Sequence, residues 1–174
     1  MKRIFAIAAL ALSALVVMAS GAVAATTINP ANAPSGTHLQ AGAIGCTVGS
    51  GGSVTCSAFE LGGVGHTNAT VDLVANYSAT IDCTNKGGSL VESHSQDVAV
   101  ESGPVTIRPD RNGRLRVAAR TADAPTNQQI LQQSDCPNPN WTPSVHGGSV
   151  TLDSFTYTLT FAGFTSPYIT ITGP

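Results

Sequence analysis

The chain has 174 residues, of which 42% are hydrophobic and 10% charged, and its formal net charge is −2 at pH 7. Lysine occurs only at Lys2 and Lys86, so the composition argues against nucleic acid or an anionic membrane as a partner. Thr, Ser, Gly and Val are abundant while Lys and Glu are scarce, which is typical of strands and turns rather than helices.

The N-terminus has the pattern of a cleavable signal peptide. Lys2 and Arg3 precede an apolar run over residues 4–18, and small residues at 22–24 fit a signal-peptidase site before Ala25. The alternative is a transmembrane anchor, but the apolar run is about 15 residues and a span needs roughly 20. We therefore predict a signal peptide over residues 1–24 and a secreted, extracellular protein without a stable membrane anchor.

The predicted export product is long enough for one domain. Cleavage leaves about 150 residues, which can bury a hydrophobic core. Residues 25–37 are polar and proline-rich, and we predict a flexible leader there or, alternatively, a first edge segment. Residues 38–174 are assigned to a single β-sandwich domain.

The cysteine count predicts two disulfides. An even number in an exported chain indicates a disulfide framework, although four cysteines allow three pairings. None of the spacings is C-x-x-C or C-x-x-H, so no metal site and no cofactor are predicted. The four residues are Cys46, Cys56, Cys83 and Cys136.

The local sequence favours a bond between Cys46 and Cys56. A hairpin centred on Gly51 places Val48 opposite Val54 and the two cysteines opposite each other. The glycine-rich tip permits the positive φ angles of a tight turn. The remaining pair is Cys83 with Cys136, which closes a loop of about 54 residues.

The clearest strand pattern spans Asn68 to Thr84. The odd positions are apolar and the even positions mostly polar, which predicts one strand with a single buried face that is long enough to bend between two sheets. The predicted buried positions are Ala69, Val71, Leu73, Ala75, Tyr77, Ala79, Ile81 and Cys83.

The middle of the chain predicts shorter elements. Residues 96–102 form a strand, and 105–108 and 115–120 form a hairpin around the turn at 109–113, where Asn112-Gly113 is a strong hairpin signal. Residues 121–144 lack periodicity and are predicted as a long loop, tied down by a disulfide.

The last third returns to strands, with Phe155, Tyr157, Leu159 and Phe161 alternating with threonines. About seven to nine short strands without helical periodicity predict an all-β, two-layer, immunoglobulin-like β-sandwich of antiparallel strands. Antibody domains carry Cys…Trp…Cys in that order, whereas Trp141 follows the last cysteine, so this likeness is architectural.

A group of arginines is the most uneven charge feature. It could form a basic stripe that binds a sulfated, phosphorylated or carboxylated polymer. Alternatively it is a solvated strand face that protects a sheet edge. The candidate binding residues are Arg108, Arg111, Arg114, Arg116 and Arg120.

Trp141 is the other candidate binding residue. It ends the rigid segment Cys136-Pro-Asn-Pro-Asn-Trp, from which it could stack on a sugar ring or on a partner. The alternative is that Trp141 covers the disulfide as part of the core.

No catalytic residue is predicted. The histidines at 38, 66, 94 and 146 show no metal-ligand spacing, and Ser50 lacks the G-x-S-x-G context of a nucleophile elbow. Asp72 and Asp82 lie about 33 Å apart on a straight strand, too far for a glycosidase pair. Asn68 and Asn76 match the glycosylation sequon, whose use stays open.

Two stretches resemble a family of small secreted actinobacterial proteins to which no activity is assigned. They are residues 79–88, with a C-x-N-x-G-G turn, and residues 136–141, with a C-P-x-x-x-W-like segment. The likeness covers most of residues 45–165 and implies pairing of Cys83 with Cys136. It supplies no catalytic residues, and the arginine-rich segment has no match in the family pattern.

Three functions are weighed. The first is a non-enzymatic extracellular binding or surface module, with a cell-wall polymer, a glycan or another extracellular protein as partner. The second is a secreted hydrolase whose site is assembled across strands, which a deep cleft with a histidine within hydrogen-bond reach of a carboxylate would favour and a smooth surface would exclude. The third is a structural coat protein displayed in many copies.

Overall fold

A computed structural model describes residues 24–174. The predicted signal peptide lies, except for Ala24, outside the described residues. The described part is all-β, with antiparallel sheets, two disulfides and one short α-helix. The finding of disulfides fits an oxidising compartment.

The strands are β1 (Ala25–Ile28), β2 (His38–Gly42), β3 (Cys46–Val48), β4 (Val54–Cys56), β5 (Phe59–Gly62), β6 (Ala69–Thr84), β7 (Leu90–Glu101), β8 (Val105–Ile107), β9 (Leu115–Val117), β10 (Arg120–Ala122), β11 (Thr142–Val145), β12 (Thr151–Phe161) and β13 (Ile169–Gly173). A 3-10 turn covers Pro30–Asn32, and α1 covers Asn127–Leu131.

The strands form one large sheet and two small ones. The large sheet has seven strands in the order β1-β13-β12-β6-β11, with β7 and β8 also paired to β6. The small sheets have three strands each, in the orders β10-β4-β3 and β2-β5-β9. All pairings in the described part are antiparallel.

The long strand predicted from the alternation is confirmed as β6. Its odd-numbered side chains, from Ala69 to Cys83, are at most 3% exposed, while the even-numbered ones face the other side. The hydrophobic cluster around Leu73 also contains Val54 and Leu61, so the large sheet and both small sheets share one core.

Both predicted disulfides are present, Cys46–Cys56 and Cys83–Cys136. The predicted hairpin register is confirmed, with Val48 opposite Val54. Gly52 takes the positive φ of the turn, 81°, and its carbonyl accepts a 3.0 Å hydrogen bond from the Tyr77 hydroxyl. The hairpin is thereby tied to the inner face of β6.

Part of the predicted flexible leader is an edge strand. Residues 25–28 pair with β13, with Thr26 opposite Ile171, and the Asn29 N–H donates to the Tyr168 carbonyl over 2.8 Å. The alternative of a first edge segment therefore describes this stretch. The four strand residues have exposed side chains, so backbone hydrogen bonds hold them rather than burial.

The predicted hairpin of residues 105–108 and 115–120 is wrong. The turn forms, because Asp110 Oδ1 accepts from the N–H groups of Asn112 and Arg114 at 2.8 and 3.0 Å. However, β8 pairs with β6 in the large sheet, and β9 pairs with β5 in a small sheet. Pairing with β5 leaves Leu115 fully buried and Val117 nearly so, and this burial favours β5 over β8 as the partner strand of β9.

The predicted loop over 121–144 contains more structure than expected. It includes part of β10, the helix α1 and the start of β11. The Thr126 side chain accepts from the Gln129 N–H, and Gln129 Oε1 accepts from the Thr126 N–H, which is a capping box. Ile130 is fully buried and holds the helix on the core.

We expect the two disulfides to contribute unequally. Replacing Cys83 and Cys136 by Ala should lower the free energy of unfolding by about 4 kcal/mol, because the bond closes the longer loop. Replacing Cys46 and Cys56 by Ala should cost about 3 kcal/mol. Urea denaturation of both double variants measures the difference, and a larger loss for the short loop would contradict the ranking.

Candidate functional site

The candidate arginines do not gather into one stripe. Arg114 and Arg116 both pair with Glu60, at 3.7 and 3.1 Å. Arg120 donates to the carbonyl of Ser102 at 2.8 Å and to that of Gly103, which ties β10 to the end of β7. Three of the five guanidinium groups thus have protein partners.

The remaining arginines, Arg108 and Arg111, are exposed on the approach to the turn at Asp110. Neither forms an ion pair within residues 24–174. A polymer could bind all five arginines only if Arg114 and Arg116 released Glu60 and Arg120 released the carbonyls of Ser102 and Gly103.

Trp141 is half-buried and packs against the smaller hydrophobic cluster, which contains Ile81 and Cys83. Cys136, the disulfide partner of Cys83, packs against the same cluster. This placement favours the interpretation of Trp141 as a cover for the disulfide over that of a displayed aromatic.

Asp82, Ser93 and His146 meet on the outer face of the large sheet. Asp82 on β6 lies opposite Ser93 on β7, and His146 directly follows β11. The Ser93 hydroxyl donates to Asp82 Oδ1 over 2.6 Å, and His146 Nδ1 lies 2.8 Å from Asp82 Oδ2. The hydrogen bond from Ser93 and the contact with His146 lower the pKa of the Asp82 carboxyl group.

This cluster does not have the geometry of a catalytic triad. In such a triad the nucleophilic hydroxyl bonds to the second imidazole nitrogen, whereas Ser93 donates to the carboxylate. The His146 side chain is 61% exposed, so the pair lies open to solvent. The structure therefore contains the histidine–carboxylate pair of the hydrolase hypothesis, but this pair does not activate Ser93 as a nucleophile.

A grid of threonines occupies part of the same outer face. On β12 the aromatic residues Phe155, Tyr157 and Phe161 are buried, and the strand pleat turns the threonines between them outward. Neighbouring strands supply further threonines in register with them. We call this set the threonine face: Thr27, Thr70, Thr106, Thr156, Thr158, Thr160, Thr170 and Thr172.

The register makes the threonine face a two-dimensional array. Thr156 lies opposite Thr172, and Thr158 lies opposite Thr170, which in turn lies opposite Thr27. Neighbouring strands are about 4.8 Å apart, and alternate residues along one strand are about 7 Å apart. Each position presents one hydroxyl and one methyl group to the solvent side.

Most hydroxyls of the threonine face have no hydrogen-bond partner among the described residues. In the part of the chain that the structure describes, only Thr70 and Thr106 have a side-chain hydrogen bond, to each other at 3.5 Å. The other six hydroxyls have no protein partner there. Polar side chains continue the surface beyond the grid, where Asn76 donates to Ser154 over 3.1 Å.

Sequence reasoning found only part of this face. The alternation of threonines along β12 is visible in the sequence, but the alignment with Thr170 and Thr172 depends on which strands become neighbours. The sequence signal for the threonines of β13 is the short alternating pattern Ile169-Thr170-Ile171-Thr172 near the C-terminus.

The sequence matches no protein-family model, no curated protein and no solved structure. Over residues 24–174, no helix is both long enough and apolar enough to cross a membrane.

We expect Asp82 to contribute to the pH dependence of stability. Its pKa is lower in the folded protein than its ordinary value of 3.8, so its stabilising contribution is present above that value and is lost as the pH falls through the folded pKa. Asp82→Asn should therefore lose less stability than the wild type between about pH 7 and pH 3.

Urea denaturation at both pH values measures this difference. Ser93→Ala should reduce the pH dependence in the same direction, because it removes the leading cause of the shift. Asp135→Asn is the control, since that exposed carboxylate has no side-chain hydrogen bond among the described residues. Equal pH dependence in wild type, Asp82→Asn and Ser93→Ala would contradict the assignment.

Proposed function

We propose that the protein is an exported, non-enzymatic binding module that holds an uncharged polysaccharide on its threonine face. The observation that carries the proposal is the array of six threonine hydroxyls on one face of the large sheet that have no hydrogen-bond partner within residues 24–174. The proposed ligand is a cell-wall or other extracellular glycan, whose hydroxyl groups can hydrogen-bond to these threonines.

Export is part of the proposal. The predicted signal peptide, the two disulfides and the absence of free cysteines among the described residues support it. The immunoglobulin-like, two-layer arrangement also belongs to the proposal, and the core shared by the large sheet and the two small sheets supports it. Membership of the actinobacterial family described above stands as a further proposal.

The chemistry of the face favours a neutral, hydroxyl-rich ligand. Threonine hydroxyls both donate and accept hydrogen bonds, as sugar hydroxyls do, and the methyl groups offer apolar contact to the C–H faces of sugar rings. The charges in the rows of the grid are two carboxylates. Asp72 Oδ1 accepts from the Leu73 N–H. Glu101 lies opposite Val74 in the row of Thr156. The strands that carry the threonine face contain no lysine or arginine with which a polyanion could pair.

The face is also preorganised for binding. Threonine side chains are restricted at χ1, and the strand backbone is fixed by neighbours on both sides over most of the grid. Little conformational entropy is therefore lost when the array binds an extended polymer. Many weak hydrogen bonds along such a polymer add up to useful affinity.

The test is a triple substitution of Thr156, Thr158 and Thr172 by Val. Valine keeps the shape and strand propensity of threonine, so the fold should persist while three hydroxyls are lost. We expect binding to cellulose, chitin or dextran, whichever the wild type binds, to weaken at least about tenfold. Depletion isotherms on the insoluble polymers and affinity electrophoresis for dextran give the measurement.

A matched triple variant provides the control. Thr47, Thr55 and Thr121 are also exposed strand threonines, but they lie on the small sheet β10-β4-β3. Their replacement by Val should leave binding unchanged. No binding of the wild type to any of the three polymers, or equal loss in both triple variants, would refute the proposal.

A further inference from the structure

Among residues 24–174, strand β7 pairs only with β6, and its other edge has no strand partner. The Ser102 N–H donates to the Leu73 carbonyl over 3.0 Å, so the even-numbered residues of β7 direct their backbone groups toward β6. The odd-numbered residues therefore direct their N–H and C=O groups away from the sheet. Beyond the irregular pairing at residues 90–92, they are Ser93, Ser95, Asp97, Ala99 and Glu101, and all five are exposed.

This edge lacks two of the usual protections against strand pairing, lysine and proline. Natural edge strands are commonly blocked by lysine, by proline or by a covering element. Strand β7 contains neither lysine nor proline, and the one local cap is the Gln96 side chain, which donates to the Asp97 carbonyl over 3.0 Å. The backbone groups of Ala99 and Glu101 remain open to an added strand.

A groove runs along the same stretch of the edge. Residues 98–101 form one wall, and Pro125, Gln129, Gln132 and Gln133 form the other, around a volume of about 320 Å³. Val98 and Ile130 are buried in one cluster, which fixes α1 beside β7. The groove thus has a strand edge on one side and glutamine side chains on the other.

The charge of the groove is negative. Glu101 lines it, and Asp97 and Asp153 line the adjoining cavity of about 540 Å³ together with Gln133. Neither cavity has an arginine or lysine among its lining residues. A ligand with cationic side chains is the complementary one.

We propose that this groove binds an extended, cationic segment of another polypeptide, which adds as a strand to the free edge of β7. The backbone of the segment pairs with Ala99 and Glu101, and alternate lysine or arginine side chains reach Asp97 and Glu101. The glutamines of the opposite wall hydrogen-bond to the far side of the added strand. The open backbone edge belongs to β7, which carries none of the threonines of the threonine face.

A second copy of the chain is the weaker candidate for the same edge. Its β7 carries Glu92, Asp97 and Glu101 and no cation, so it offers no charge complement. The wall formed by residues 125–133 also stands beside the edge. A whole domain that approached the edge would collide with this wall, whereas a single strand fits between the wall and the edge.

The experiment uses a fluorescein-labelled octapeptide of alternating lysine and threonine, and a glutamate–threonine octapeptide as the charge-reversed probe. Fluorescence anisotropy should show saturable binding of the lysine peptide to the wild-type protein and at least about tenfold weaker binding of the glutamate peptide. Absence of saturable binding, or equal binding of both peptides, would overturn the proposal.

Proline substitutions test the strand addition itself. Ala99→Pro removes an N–H from the free edge and no hydrogen bond to β6, so the lysine peptide should bind about tenfold more weakly or worse. Ser93→Pro removes an N–H from the same edge outside the groove, and it also removes the hydroxyl that donates to Asp82. Ser93→Ala, which loses only that hydroxyl, accompanies it, and binding should be retained in both variants. Circular dichroism confirms that each variant is folded.

A charge variant keeps the proposal testable if Ala99→Pro does not fold. Asp97→Asn combined with Glu101→Gln leaves the backbone intact and should weaken the lysine peptide about tenfold while reducing its salt dependence. Unchanged binding in this variant, or in a folded Ala99→Pro, would refute the proposal. A wild-type dimer in sedimentation that Ala99→Pro converts to monomer would also refute it and assign the edge to a second copy.

Discussion

The alternation of side chains along β6 is the constraint on which the rest of the fold depends. Its odd-numbered residues enter both hydrophobic clusters, and its two edges pair with β7, β8, β11 and β12. A slip of one residue would exchange the buried and exposed sets on β6 and misalign every neighbour. The Cys83–Cys136 bond fixes one end of this strand to the segment that carries α1.

The same alternation creates the proposed binding surface. Burial of Phe155, Tyr157 and Phe161 against the core turns the intervening residues of β12 outward, and β6 fixes the register of that strand. Where the chain places threonine at those outward positions, burial on one side produces an ordered hydroxyl array on the other. Stability and the candidate function thus come from opposite faces of one sheet.

Features that depend on neighbours in sequence were predictable, and features that depend on distant partners were not. The register of the 46–56 hairpin was predicted because glycines and alternation define it locally. The predicted strand partner of Leu115 was wrong, because pairing beside Leu61 buries its side chain, whereas pairing across the nearby turn does not occur. Likewise Thr156 was visible as an outward residue, but its pairing with Thr172 follows only from the topology.

The central claim is that the threonine face contacts a polysaccharide. The most direct measurement follows the methyl resonances of threonines by NMR while soluble cello-, chito- and dextran oligosaccharides are titrated into the protein. The account predicts shifts for Thr156, Thr158 and Thr172 with one of these ligands, and unchanged resonances for Thr55 and Thr121. Shifts confined to Thr55 and Thr121, or no shifts with any of the ligands, would contradict it.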